Sequence, residues 1–133
     1  MTGAELPPYA KALGIEIDRV ENGTPVLGVD FSDRILGRPG FLHGGAMSGL
    51  MEMAAIAALH AEMDRRGEAM RLKPVNVQVE FMRGGTEQRT FAMGTVTRAG
   101  RRVALVNAEC WQDDRTKPIA LAQMKILLSP SEG

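Results

Sequence analysis

One stretch constrains the fold of this 133-residue chain more than any other. Residues 43 to 65 run through alanine, methionine and leucine without a proline, the composition of a long helix, and nowhere else does such a run recur. Downstream the period changes to two. Val75, Val77, Val79 and Phe81 fall on one face of an extended segment, with Asn76, Gln78 and Glu80 on the other. Phe91 to Arg98, Val103 to Trp111 and Ile119 to Leu128 continue as strands, joined by Ala99-Gly100-Arg101 and by Gln112 to Pro118. Upstream, Leu13 to Val20 and Thr24 to Phe31 flank Glu21-Asn22-Gly23, a strong hairpin signal. Gly37-Arg38-Pro39-Gly40 breaks the pattern before the helix, Gly67 to Pro74 reads as a polar loop, and residues 5 to 12 read as a short helical cap or lid. A lone long helix among about six strands predicts an α+β architecture, an antiparallel sheet wrapped around one central helix. In the last two strands Ala104, Val106, Ala108 and Cys110, with Ala120, Ala122 and Met124, offer that helix a small-residue surface.

The length suits a single domain, expected over residues 1 to 133 with the cap at 1 to 12. Sixteen basic side chains balance sixteen acidic ones, so no net field draws in nucleic acid or an anionic membrane. The apolar run 46 to 59 is interrupted by Ser48 and Glu52 and is shorter than the ~18 residues of a membrane span. One cysteine, Cys110, and no recognisable leader make a reducing cytoplasm the expectation. No repeat or low-complexity tract is present.

Spacing residues of the helix about 100° apart puts Gly44, Ser48, Glu52, Gly45, Ile56 and Gly49 on one narrow stripe. Met47, Leu50, Met51, Ala54 and Ala58 lie opposite, the bulky side expected to face the sheet. The stripe presents backbone rather than bulk, so something approaches it closely, and a second copy of the helix is the simplest candidate. Glu52 has a plain reading, a solvated residue on the polar face of an amphipathic helix. Its neighbours Met51 and Met53 and the lack of other charge in the run leave no such face. A carboxylate in apolar surroundings has a raised pKa, suited to acid-base or nucleophilic work. Gly44 and Gly45 serve as a turn into the helix, or their amides, at the positive end of the helix dipole, hold a carbonyl oxygen that gains negative charge. Eight residues separate Gly44 from Glu52, about 12 Å along a helix, too far for one chain to bring both to one carbonyl. If both serve one site they come from two chains, their helices antiparallel about a twofold axis.

The triplet His43-Gly44-Gly45, the acid nine residues after the histidine on a long helix, and the strands that follow resemble the hotdog-fold acyl-CoA thioesterases of the 4-hydroxybenzoyl-CoA thioesterase superfamily, particularly the phenylacetic acid degradation type. The resemblance covers roughly residues 10 to 128. It implies that the Gly44 amide polarises the thioester carbonyl and that Glu52 of the facing subunit is nucleophile or general base. His43 is then mainly structural, shaping the turn and bonding nearby backbone, with direct proton transfer as the alternative role. It further implies a homodimer, or a dimer of dimers, that acts on acyl-CoA with no metal or cofactor. Coenzyme A in the family lies with its phosphates near basic side chains on strand ends and loops; here these are Arg83, Arg98, Arg101 and Arg102, whose plain reading is a solvated charged turn. Two positions depart from the family pattern. Gly37 stands where many members have Asn or Gln, and Ile56 where some have a hydroxyl, a need that Ser48 or a neighbouring chain would meet. Those departures keep a second reading open, a non-catalytic acyl-CoA or aromatic-acid binding protein. A third, an acyl-CoA hydratase or dehydratase, lacks its histidine and acid motif here. Cys110 reads as a core residue, Trp111 as a strand-end anchor and His60 as a helix-end residue.

Overall fold

The computed structural model describes residues 6 to 131. The chain begins with α1 (Pro8–Leu13), then β1 (Glu16–Glu21) and β2 (Thr24–Val29). A single 3-10 turn, Asp33–Ile35, leads to α2 (Gly44–Arg66), and β3 (Met70–Phe81), β4 (Thr90–Ala99), β5 (Val103–Trp111) and β6 (Ala120–Pro130) complete the fold. The six strands form one antiparallel sheet in the order β1-β2-β4-β5-β6-β3. Part of the expected cap, residues 1 to 5, lies outside the described residues.

The local signals act as expected. Asn22 and Gly23 both take positive φ, 50° and 82°, the backbone that a two-residue hairpin needs to match the strand twist. Helix α2 ends where Gly67 turns left-handed, at φ 69°, and its amide returns to the carbonyls of Asp64 and Met63. Met47, Leu50, Met51, Ala54 and Ala58 are buried, as are the small residues of β5 and β6 beneath them. Helix and sheet approach closely at Gly94 of β4. A Cβ there would lie 2.7 Å from the Ala54 carbonyl oxygen and 2.8 Å from the Ala55 Cα. Among the described residues no helix is long and apolar enough to cross a membrane.

The expected loop at Gly67 to Pro74 is corrected by the structure. Strand β3 already begins at Met70, because Met70 to Pro74 pair with Pro130 back to Ile126 of β6. Pro74 is tolerated because β3 is an edge strand and its ladder shifts by a residue between Pro74 and Asn76. The apolar face of β3 is real but only partly covered. Val77, Val79 and Phe81 pair with the inward-facing Met124, Ala122 and Ala120; Val79 packs against the core, yet Val77 is 39% and Phe81 55% exposed. The opposite edge differs. Strand β1 carries Glu16, Asp18, Arg19 and Glu21 and a register shift between Ile17 and Arg19, devices that discourage pairing.

Candidate active site

The N-terminus of α2 is held by a small knot of backbone hydrogen bonds. The His43 amide donates to the Ile35 carbonyl (2.8 Å), the Leu42 amide to Gly85 (2.9 Å) and the Gly37 amide to Phe41 (2.9 Å). Gly37 is the only residue type that fits this knot without displacement. A Cβ on it would sit 3.0 Å from the His43 Cα and 3.2 Å from its nitrogen, so the departure from the family pattern has a steric counterpart here. Gly40, at φ 86°, lets the loop reverse. Beneath the knot lies a polar group that sequence inspection missed. Gln112, 8% exposed, accepts from the Thr86 amide (3.1 Å) and donates to the Thr86 carbonyl (3.0 Å) and the Thr90 hydroxyl (3.0 Å). It thereby pins the loop whose Gly85 carbonyl holds Leu42.

His43 is the N-cap of α2, and its Nδ1 accepts the Gly45 amide at 2.9 Å. That engagement separates the two glycines: the Gly45 amide has an acceptor, while none is found for the Gly44 amide among the described residues. Gly44 is the first residue of the helix, so its N–H has no partner within it and points outward along the dipole. On one side of this mouth stands the Phe81 ring, 3.3 Å from where a Gly44 Cβ would be. On the other, Tyr9 of α1 lies on the stripe, its hydroxyl 2.7 Å from where a Gly49 Cβ would be. The stripe is thus closely approached, and two of the approaching groups come from its own chain. A second helix was the simplest expectation; Tyr9 and Phe81 were not foreseen.

Glu52 lies half-buried on the same stripe. Burial raises its carboxyl pKa above the ordinary 4.5, and among the described residues no charge or hydrogen bond offsets it. Ser48 and Ile56, one turn to either side, are likewise half-buried. The basic residues divide into two places. Arg83 follows β3, its amide donating to the Ile119 carbonyl (3.2 Å), beside Asp114. Arg98, Arg101 and Arg102 line an open groove of about 550 Å³ with Lys125, over Val103 and Leu105. Arg98 pairs with Leu105 and Leu105 with Lys125, so this groove lies on the sheet face opposite α2, where the alternate residues Ala104 and Val106 are buried. From Ala120 beside Phe81 to Leu127 beside Val103 is seven residues of β6, ~23 Å, so Arg83 and the hairpin arginines of one chain do not share a site.

The other singled-out residues are structural. Burial pushes the Cys110 thiol up to about 12, which makes it inert. Trp111 stacks on Phe91 at 5.9 Å between centroids, with the Arg115 guanidinium 4.3 Å over its ring. His60 is half-buried near the helix end, where desolvation lowers its pKa against the pull of Asp64. Among the described residues no group of three or more His, Cys, Asp or Glu is placed to hold a metal ion.

Known proteins share this fold. The crystal structure of a thioesterase from Haemophilus influenzae matches with a TM-score of 0.80 over 92% of this chain and 82% of that one, at 17% identity, a likeness of fold. A protein of Chromobacterium violaceum is 35% identical, with a TM-score of 0.71 over 94% of this chain and 85% of its own. The medium/long-chain acyl-CoA thioesterase YigI of Salmonella typhimurium is 25% identical over 120 residues, 81% of this chain and 77% of its own. The fold is therefore the hotdog expected from the helix and strand order. The thioesterase superfamily profile matches residues 39–119, from the knot before α2 to the start of β6, and the chain belongs to that superfamily.

Proposed function

We propose that the protein is an acyl-CoA thioesterase, with its site built from two copies of the chain. The observation that carries this reading is the pairing of an unengaged Gly44 amide at the helix mouth with a half-buried, unpartnered Glu52 one side of the same stripe. The resemblance to YigI, whose name gives medium- and long-chain acyl-CoA as its substrates, supports the substrate class.

The chemistry follows from the two groups. The thioester oxygen accepts a hydrogen bond from the Gly44 amide, which strengthens as the carbonyl carbon becomes tetrahedral and its oxygen takes up negative charge. Glu52 of the facing subunit either takes a proton from water as that water bonds to the carbon, or itself bonds to the carbon. In the first course the intermediate collapses with loss of the C–S bond, and the sulfur leaves as the thiol with the proton Glu52 held. In the second the thiolate leaves an acyl-glutamate anhydride, which water then hydrolyses. Both consume one water and yield a free acid and coenzyme A. His43 keeps the Gly44 amide aimed by holding Gly45.

The second copy has a place to bind. The β3 edge and its exposed Val75, Val77, Phe81 and Met82 stand beside the mouth, where an antiparallel copy would extend the sheet and cover the apolar face. Coenzyme A phosphates would meet Arg83 near the mouth, or the hairpin arginines of another subunit.

The test is release of thiol from acyl-CoAs of several chain lengths. The wild type is expected to hydrolyse at least one of them. Glu52→Gln, of the same shape but unable to attack or take a proton, is expected to retain binding and lose turnover. Turnover within about tenfold of wild type, less than ~1.4 kcal/mol, would exclude Glu52 as the reacting group. Acyl-CoA binding without any hydrolysis by the wild type would favour the non-catalytic reading that Gly37 and Ile56 keep open.

A further inference from the structure

We propose that Tyr9 is the stop that sets the length of acyl chain this protein accepts. The inference rests on the thioesterase reading above and adds the group that measures the substrate.

A groove of about 320 Å³ opens beside the helix mouth, between α1 and α2, with Gly45 and Ala46 at one end, Leu13 and Leu36 on its walls and Tyr9 bordering it. Leu13, Leu36 and Ala46 give it a hydrocarbon side and Arg34 and His43 a polar one, and its volume holds about ten groups of water or methylene size, at ~30 Å³ each. An acyl group whose carbonyl is held by the Gly44 amide has this groove immediately beside it. Gly49 lies four residues beyond Gly45, about 6 Å further along α2, and there the Tyr9 ring crosses the helix. Its hydroxyl and ring edge occupy the place of a Gly49 side chain, at 2.7 and 3.2 Å from the position of a Cβ. Glycine at 49 is therefore what lets the ring lie flush with the helix backbone.

The ring is held from behind. Its neighbour Ala10 is fully buried, the Ile15 amide bonds the Ala10 carbonyl at 2.9 Å, and the Arg34 side chain donates to the Ala12 carbonyl at 3.4 Å. Yet Tyr9 itself is 52% exposed, so its side chain serves no core that would explain its size. A large ring, fixed at its base, lying on a glycine and bordering the groove one turn from the mouth, is placed to meet an acyl chain that runs along the groove's hydrocarbon side.

The experiment measures kcat/KM for straight-chain acyl-CoAs from butanoyl to palmitoyl, with folding of each variant checked by circular dichroism. Tyr9→Ala should move the preferred length upward and raise the ratio of palmitoyl to butanoyl hydrolysis at least tenfold over wild type. Tyr9→Phe, which keeps the ring, should keep the wild-type length preference. Gly49→Ala drives a methyl into the Tyr9 hydroxyl and should alter the length preference of the wild type but not that of Tyr9→Ala. If Tyr9→Ala fails to fold, Gly49→Ala and Tyr9→Leu give the same reading from the displaced or shortened side chain. A length profile unchanged by these variants, or scaled equally at all lengths, overturns the proposal while wild-type hydrolysis sustains the thioesterase reading. A wild type inert toward every acyl-CoA refutes both.

Discussion

Two inactive variants should repair each other. Gly44→Pro removes the free amide at the helix mouth and Glu52→Gln removes the acid. The backbone accepts the proline: Gly44 is the first helical residue, where proline is tolerated, and His43 before it has φ −67° and ψ 132°, the extended conformation that a residue preceding proline favours. The added ring meets the half-exposed Phe81 side chain, which can turn away, rather than fixed backbone. Within one chain the two groups lie about 12 Å apart along α2, whereas each must come within ~3 Å of the reacting atoms. Each homodimer is therefore expected to be dead, but a mixed dimer has one site that combines the intact Gly44 of one chain with the intact Glu52 of the other. Co-refolding equal amounts makes about half the dimers mixed, each with one working site of two, so about a quarter of wild-type activity should return. Thiol release reads the result, and the buried Cys110 thiol, pushed up to about 12, adds no signal from the folded protein. Zero recovery, with mixed dimers shown by native mass spectrometry and both variants folded, would refute the two-chain site.

Four further outcomes follow from particular contacts. Because burial raises the Glu52 pKa and the reaction needs the carboxylate, the acid limb of the kcat/KM profile should lie above pH 4.5; a limb at or below that value would show a solvated carboxylate. The same raised value means that the fold favours protonated Glu52, so stability from this group is present at low pH and lost as pH rises. Glu52→Gln should match wild type in thermal unfolding under acid conditions and exceed it at neutral pH. Gly37→Asn, which restores the side chain usual in the resembled family, should lower turnover by pushing the His43 backbone from 3.0 Å contact; an increase in kcat would show that the knot yields. Gly94→Ala places a methyl against the fixed backbone of Ala54 and Ala55 and should cost about 1–3 kcal/mol in denaturant unfolding; an unchanged midpoint would mean that α2 sits further from β4.

What could be read from the sequence were features whose cause is local. The Asn22-Gly23 turn, the uninterrupted helix ending at Gly67 and the two-residue period of β3 to β6 each depend on residues within a few positions of one another. The start of β3 was hidden because Arg71, Lys73 and Pro74 have the composition of a loop. They become a strand only through pairing with Ser129, Leu127 and Ile126, more than fifty residues away. The four arginines were grouped because they flank strand ends, and the length of β6 separates them. Gln112 looked like part of a polar connection, and only Thr86 and Thr90 reveal it as a buried brace.

The stripe on α2 shows how such a limit arises at a functional site. Glycine at 44, 45 and 49 announces that something comes close, since a missing side chain is information about space. It carries no information about the occupant. The three glycines prove to have three different reasons: Gly44 leaves an amide open beside Phe81, Gly45 gives its amide to the histidine two residues back, and Gly49 receives a tyrosine from forty residues upstream. Only the second involves a neighbour in sequence. A reading from spacing alone therefore groups the glycines as one surface for one partner, and assigns either Gly44 or Gly45 to the substrate. The fold distinguishes them by where each amide points and what each gap admits. The open amide faces outward between two aromatic rings, and the carboxylate that would complete the chemistry lies two turns away. On the reading proposed above, that separation along one rigid helix calls for a second copy to complete the site, and Tyr9, lying over Gly49 between mouth and acid, is placed to meet the substrate.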